Sequence, residues 1–227
     1  MKHHEVAPEK SAQPHQVASQ TQKVFNVWGI ILAIWAVYRS TIGVSSPLFF
    51  DEVILKPLLF ITPVIFFIKN FEHRSIAEGL WLNKKDLLKN VKLALLLSIP
   101  VLVLFLLSFL SSQPTSLEVV LLLIPVAFGM SISEEILSRG FVARRIWEEK
   151  HSIVRTIIQA SILHMFLRIP RIMTTPGLFG QKLILFILAD LILSIALTTI
   201  LIWKKSLYPV IVVRFLYTFL LMVLLAR

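Results

Sequence analysis

The chain contains no cysteine, which excludes disulfides, thiolate catalysis, cysteine-rich zinc sites and lipidation on cysteine. Glycine is scarce, 7 of 227 residues, and no GxSxG elbow, Walker loop, dinucleotide fingerprint or HExxH is present. Phosphate-cradling loops have nothing to be built from, and no internal repeat is visible. Charge is sparse as well: 16% of residues are charged, and Asp and Glu number 13 against 23 Lys and Arg. What fills the chain instead is hydrocarbon, with 56% hydrophobic residues and a mean hydropathy of +0.80.

Apolar runs lie at 24–43, 49–68, 92–110, 117–138, 153–169, 183–203 and 207–226. They predict an all-α fold, a polytopic transmembrane helical bundle of about seven spans (roughly six to eight), each near the ~20 residues that cross ~30 Å of hydrocarbon. The second run is interrupted by Asp51, Glu52, Lys56, Pro57 and Pro63, so a short, kinked or re-entrant element is expected there. Residues 1–22 are polar, carry Pro8 and Pro14, and predict a disordered cytoplasmic tail ahead of one membrane-embedded domain over 23–227. The tail does not resemble a secretory signal, because its polar stretch is long and no small-residue cleavage site follows the first apolar run. Its His3, His4 and His15 are loose tail histidines of the kind that bind nothing specific.

Basic residues set the expected orientation. Lys2, Lys10 and Lys23, the group from Lys69 to Lys92, Arg139 to Arg155, and Lys204 with Lys205 all fall on one side of a seven-span bundle. Arg168, Arg171, Lys182 and Arg227, with Arg39 and Lys56 as marginal members, fall on the other. The positive-inside rule then places the N-terminus in the cytoplasm. Basic loops beside anionic lipid account for the net charge of +10 without any nucleic acid.

Against this apolar background the run SISEEILSRGF is conspicuous, because charge at membrane depth costs several kcal/mol unless it is paired or wet, and so marks a functional site by default. On a helix Glu135 and Arg139 stack as an i, i+4 pair with the acid on the favourable side. Glu134 lies about 100° round the helix and is expected to be the less neutralised carboxylate, hence the general base. One span later His164 sits among Ala160, Ser161 and apolar residues, and a neutral imidazole there can pass a proton between an activated water and a leaving amine. The plainer alternative is that these groups form a buried ion network that only fixes packing.

EExxxR at Glu134–Arg139, the fuller EEILSRGF, and a histidine about thirty residues on resemble the CPBP family. That family comprises the type II CAAX prenyl endopeptidases, the bacteriocin-processing and self-immunity (Abi) proteins, and bacterial relatives. The stretch SIAEGLWLNKKDLLKN is similar to the family's amphipathic loop, and the resemblance spans roughly residues 75–219. It implies an intramembrane protease whose cavity opens to the cytoplasm. Glu134 and His164 would activate water, Glu135 and Arg139 would support them, and a later HxxxN would donate to the oxyanion.

The chain departs from that pattern at several positions. Ser138 and Ala160 stand where the family has phenylalanine, and both read as packing changes that leave the chemistry untouched. In SLYPVIVVRFLYTFL, Arg214 holds the third-motif histidine position and Thr218 the asparagine position. A guanidinium can donate to an oxyanion but cannot exchange a proton near neutral pH. Asp190, where relatives often have glycine, is the expected charge partner of Arg214.

The resulting expectation is an intramembrane endopeptidase in a bacterial plasma membrane, acting on a membrane-associated or prenylated (CAAX-type) peptide, with membrane lipid as its other partner and no nucleic acid. A catalytically silent relative serving as a scaffold or immunity protein is the alternative, and a small proton-coupled carrier is the third. No cofactor is expected, with zinc as the less supported alternative. Catalytic zinc wants three protein ligands plus water, whereas the motifs offer one imidazole, two adjacent carboxylates and an arginine.

Overall fold

A computed structural model describes residues 19–43, 45–82, 87–110, 116–174 and 180–226. Among these the chain is helical throughout: α1 (Gln20–Thr41), α2 (Lys56–Asn70), α3 (Ile76–Gly79), α4 (Leu87–Leu97), α5 (Ile99–Leu110), α6 (Leu117–Glu135), α7 (Arg144–Lys150), α8 (Ile153–Met173), α9 (Gln181–Lys204) and α10 (Tyr208–Leu225). Helix α1 begins inside the stretch assigned to the tail, capped where the Ser19 hydroxyl accepts from Gln22 N. The rest of that tail, up to residue 18, lies outside the described residues, as do Lys84, Lys85 and Lys182's side chain.

Among the described residues five helical segments are long and apolar enough to cross a membrane: Gln20–Thr41, Leu117–Lys150, Ile153–Met173, Leu183–Lys204 and Tyr208–Leu225. The protein is an integral membrane protein. Two expected spans are present but interrupted. The second opens with a π-helical turn, Phe50–Leu55, that carries Asp51 and Glu52 and runs directly into α2. The third is divided at Ser98 into α4 and α5, and the Ser98 hydroxyl folds back on Ala94 O at 2.8 Å. The fourth, by contrast, does not stop near residue 138. Helix α6 passes through a second π-helical turn, Ile136–Ala143, into α7, so the helical segment reaches Lys150. Arg139, Arg144 and Arg145, expected between spans, are therefore helical and buried.

Apolar packing ties these rods together around α6. Trp35 of α1 meets Phe60 of α2 edge to face at 5.6 Å, and Phe67 meets Phe141 at 5.1 Å. Near the basic end, Arg145 Nη2 donates to Glu72 Oε2 at 2.7 Å, and Arg144 stacks over Trp81. The outer faces of the helices remain apolar, as at Leu121, Phe128, Ile162, Leu188 and Ile192, which suits lipid contact.

One close approach decides where the polar residues meet. Helix α6 lies so near the Phe50–Leu55 turn that a Cβ on Gly129 would stand 2.4 Å from the Glu52 carbonyl oxygen. Backbone cannot yield there as a flexible side chain can. Gly129→Ala is expected to destabilise the protein by about 1–3 kcal/mol through overpacking, read as a lowered midpoint of thermal unfolding in detergent. An unchanged midpoint would mean the two elements can part without cost.

Candidate functional site

Both π-helical turns lie beside the charged cluster, and such turns re-aim side chains in the way functional sites use. From the second expected span come Glu52 and Lys56. Helix α6 adds Glu134 and Glu135, with Arg139 one turn on; α8 adds His164, Arg168 and Arg171, α9 adds Asp190, and α10 adds Arg214. Every one of these except Arg171 is at most 5% exposed.

Their contacts form a line of alternating charge. Arg171 Nη1 donates to Glu52 Oε1 at 2.8 Å, and Lys56 Nζ bridges Glu52 Oε2 at 2.9 Å and Glu134 Oε1 at 2.7 Å. Arg214 Nη2 donates to Glu134 Oε2 at 3.2 Å, while its Nη1 donates to Asp190 Oδ1 at 2.7 Å. Arg168 Nη1 reaches the same Asp190 oxygen at 2.7 Å and lies 3.8 Å from Glu134 Oε2. A branch closes on Glu135, where Arg139 Nη1 donates to both carboxylate oxygens and Arg139 Nη2 donates to Ser194 Oγ at 2.8 Å.

The pairing of Glu135 with Arg139 follows helix periodicity, but the expectation for Glu134 needs correction. Glu134 is the more heavily paired carboxylate of the two, because Lys56, Arg168 and Arg214 reach it from three other helices. Periodicity within α6 carries no information about them. Lys56 and Arg168, read from sequence as charges near the second surface, are instead buried inside the bundle. The signal that could have found them is their placement: each is a cation set within an apolar run.

His164 Nδ1 lies 3.1 Å from Ser138 Oγ, and His164 Nε2 lies 3.1 Å from Arg214 Nη2. Ser138 is thus not a neutral packing change. It touches the imidazole directly, where the Ile136–Ala143 turn packs against α8. Thr218 lies one turn beyond Arg214, is 3% exposed, and its hydroxyl has no hydrogen-bond partner among the described residues. Asp190 Oδ2 is likewise buried with no hydrogen bond among the described residues, 3.8 Å from His164 Nε2.

Residues 116–220 match the family model described as Type II CAAX prenyl endopeptidase Rce1-like. The CPBP resemblance holds over that stretch. It covers just under half of the chain and contains Glu134, Glu135, Arg139, His164, Asp190, Arg214 and Thr218. The Rce1-like match begins at residue 116, so the stretch from 75 to 115, included in the sequence resemblance, lies outside it. Lys56 and Glu52 lie outside it too, yet their side chains bond into the cluster that holds Glu134. No curated protein and no solved structure matches the chain. Rce1-like proteins are by that description endopeptidases, so the family-level activity is peptide-bond hydrolysis.

A resident zinc does not fit these residues. Among the described residues no group of three or more His, Asp and Glu side chains is placed to hold a metal ion. Both Glu134 oxygens already receive cationic donors, and Asp190 Oδ1 receives two guanidinium groups. A divalent cation would have to enter a cluster in which five cationic side chains already face four carboxylates, which Coulomb repulsion opposes.

Proposed function

We propose that the protein is an Rce1-like intramembrane endopeptidase that hydrolyses a peptide bond in a membrane-associated or prenylated peptide, with Glu134 and His164 as its water-holding couple. One observation carries this reading. A single nitrogen, Arg214 Nη2, stands 3.2 Å from Glu134 Oε2 and 3.1 Å from His164 Nε2, so both groups converge within hydrogen-bond reach of one atom. A water at that point would meet both.

For that water to sit there, Arg214 must draw its Nη2 aside, and the 2.7 Å contact of Nη1 with Asp190 supplies a pivot. The water adds its oxygen to the scissile carbonyl carbon and passes a proton to His164 Nε2. The displaced guanidinium, with the Thr218 hydroxyl one turn away, is suited to donate to the oxyanion. The imidazole then returns the proton to the leaving nitrogen as the C–N bond breaks. Glu135 and Arg139, locked to each other and to Ser194, brace the wall behind Glu134. On this reading the substrate approaches from the cytoplasm, where the basic residues put the N-terminus, and prenyl or lipid chains contact the apolar helix faces.

Purified full-length protein in lipid nanodiscs, given a farnesylated, internally quenched CAAX peptide, is the test. Glu134→Gln and His164→Ala are each expected to lower turnover by about 10²–10⁴-fold, the range for loss of a positioned acid–base group. Equal turnover in both variants and the natural protein would end the hydrolase reading.

A second reading has its own observation. Because Arg214 occupies the shared point, the cluster as it stands is a closed ion network, which is what a catalytically silent scaffold or immunity protein would keep. The two readings diverge on the effect of replacing Arg214.

A further inference from the structure

Ser138 makes two hydrogen bonds, to Glu134 O and His164 Nδ1, and with the Arg214–His164 contact they form a chain whose donors and acceptors can be assigned by elimination. A guanidinium has five donors and no acceptor, so the 3.1 Å contact between Arg214 Nη2 and His164 Nε2 requires Nε2 to accept. The imidazole is then neutral and carries its proton on Nδ1, because a protonated ring or the other tautomer would set two donors against each other. Nδ1 lies 3.1 Å from Ser138 Oγ, which must therefore accept. Ser138 Oγ can do so because its own proton is committed elsewhere: it donates to the Glu134 carbonyl oxygen at 2.5 Å, one helical turn back.

We infer that Ser138 is a positioning residue that holds His164 as the Nδ1–H tautomer, with the Nε2 lone pair aimed at the point shared with Glu134. The inference rests on the endopeptidase reading for its consequence, though not for its geometry. Arg214 enforces the same tautomer only while its guanidinium touches the ring. Once Arg214 swings away, Ser138 holds the ring proton on Nδ1 against the pull of the Asp190 Oδ2 carboxylate oxygen, 3.8 Å from Nε2, and so keeps Nε2 free to take a proton from water. The backbone bond to Glu134 O also couples the two halves of the site, since the residue that supplies the carboxylate supplies the carbonyl that orients the serine. Ser138, His164 and Glu134 are each at most 2% exposed, so bulk water does not compete for these bonds.

The test uses ¹⁵N-histidine-labelled full-length protein in nanodiscs, with the His164 signals identified by their disappearance in a His164→Gln variant. In the natural protein the His164 ring should show a protonated Nδ1 and an unprotonated Nε2. In Arg214→Leu that pattern should persist, because Ser138 remains. Adding Ser138→Ala to Arg214→Leu should move it to a protonated Nε2 or a mixture, and Ser138→Thr in the same background should restore it. A protonated Nε2 in Arg214→Leu alone, or no change on adding Ser138→Ala, would overturn the assignment. Should the alanine variant not fold, failure of the threonine variant to keep Nδ1 protonated would overturn it equally. Turnover is measured in parallel: Ser138→Ala in the otherwise natural protein should lower kcat with little change in KM. Correct tautomers together with no turnover in any variant would retain the positioning assignment and reject the hydrolase reading, so the two failures are distinguishable.

Discussion

Lys56→Met is expected to destabilise the protein by about 3 kcal/mol, the low end of the ~3–5 kcal/mol that follows when one partner of a buried ion pair is removed. Methionine keeps most of the lysine's volume, so the change isolates the charge. Lys56 Nζ donates to Glu52 and Glu134 at 2.9 and 2.7 Å, and none of the three side chains is more than 2% exposed. The low end applies because each carboxylate keeps a second cation, Arg171 on Glu52 and Arg214 on Glu134. Lys56 also sits 5.3 Å from the Trp35 ring centroid, so part of the loss is cation–π attraction. The measurement is the unfolding midpoint in detergent; a methionine variant as stable as the natural protein would show that the lysine is not what balances these acids.

Arg214→His is expected to raise turnover of the farnesylated peptide by about 10²-fold, the lower part of the range a freed acid–base couple supplies. The guanidinium holds Glu134 Oε2 and His164 Nε2 at once, and an imidazole at the same backbone position is too short to occupy both. It still offers a donor for the oxyanion. Loss of Arg214 should leave the fold intact, because Asp190 keeps its 2.7 Å bond to Arg168. A gain from an undetectable baseline would favour the lapsed-enzyme reading, and a gain from a measurable one would favour a gated enzyme. Lower turnover in Arg214→His would show that the guanidinium's donation to the oxyanion outweighs its hold on Glu134 and His164.

The contrast between these residues bears on what was legible beforehand. Glu135 and Arg139 could be paired from spacing alone, because residues four apart on a helix are neighbours whatever surrounds them. Asp190 and Arg214 could be singled out as lone charges in apolar runs, and they lie 2.7 Å apart. Lys56 carried the same signal but sat among Asp51, Glu52 and two prolines, so it read as the border of an irregular span. Ser138 was visible only as a departure from a family pattern, and its hydrogen bond to His164 joins residues on different helices.

The sequence by itself determined the class of the molecule, since long apolar stretches with so little charge must be buried in lipid, and lipid requires backbone that satisfies itself as helix. It also determined which acids and which histidine stand out, because a polar side chain in hydrocarbon is costly wherever it occurs. Only the tertiary structure decided who neutralises whom. Those partners come from helices distant in the chain, brought within 3 Å by the packing of α6 against the Phe50–Leu55 turn and α2, and of α9 against α8 and α10, and no local period encodes such distances.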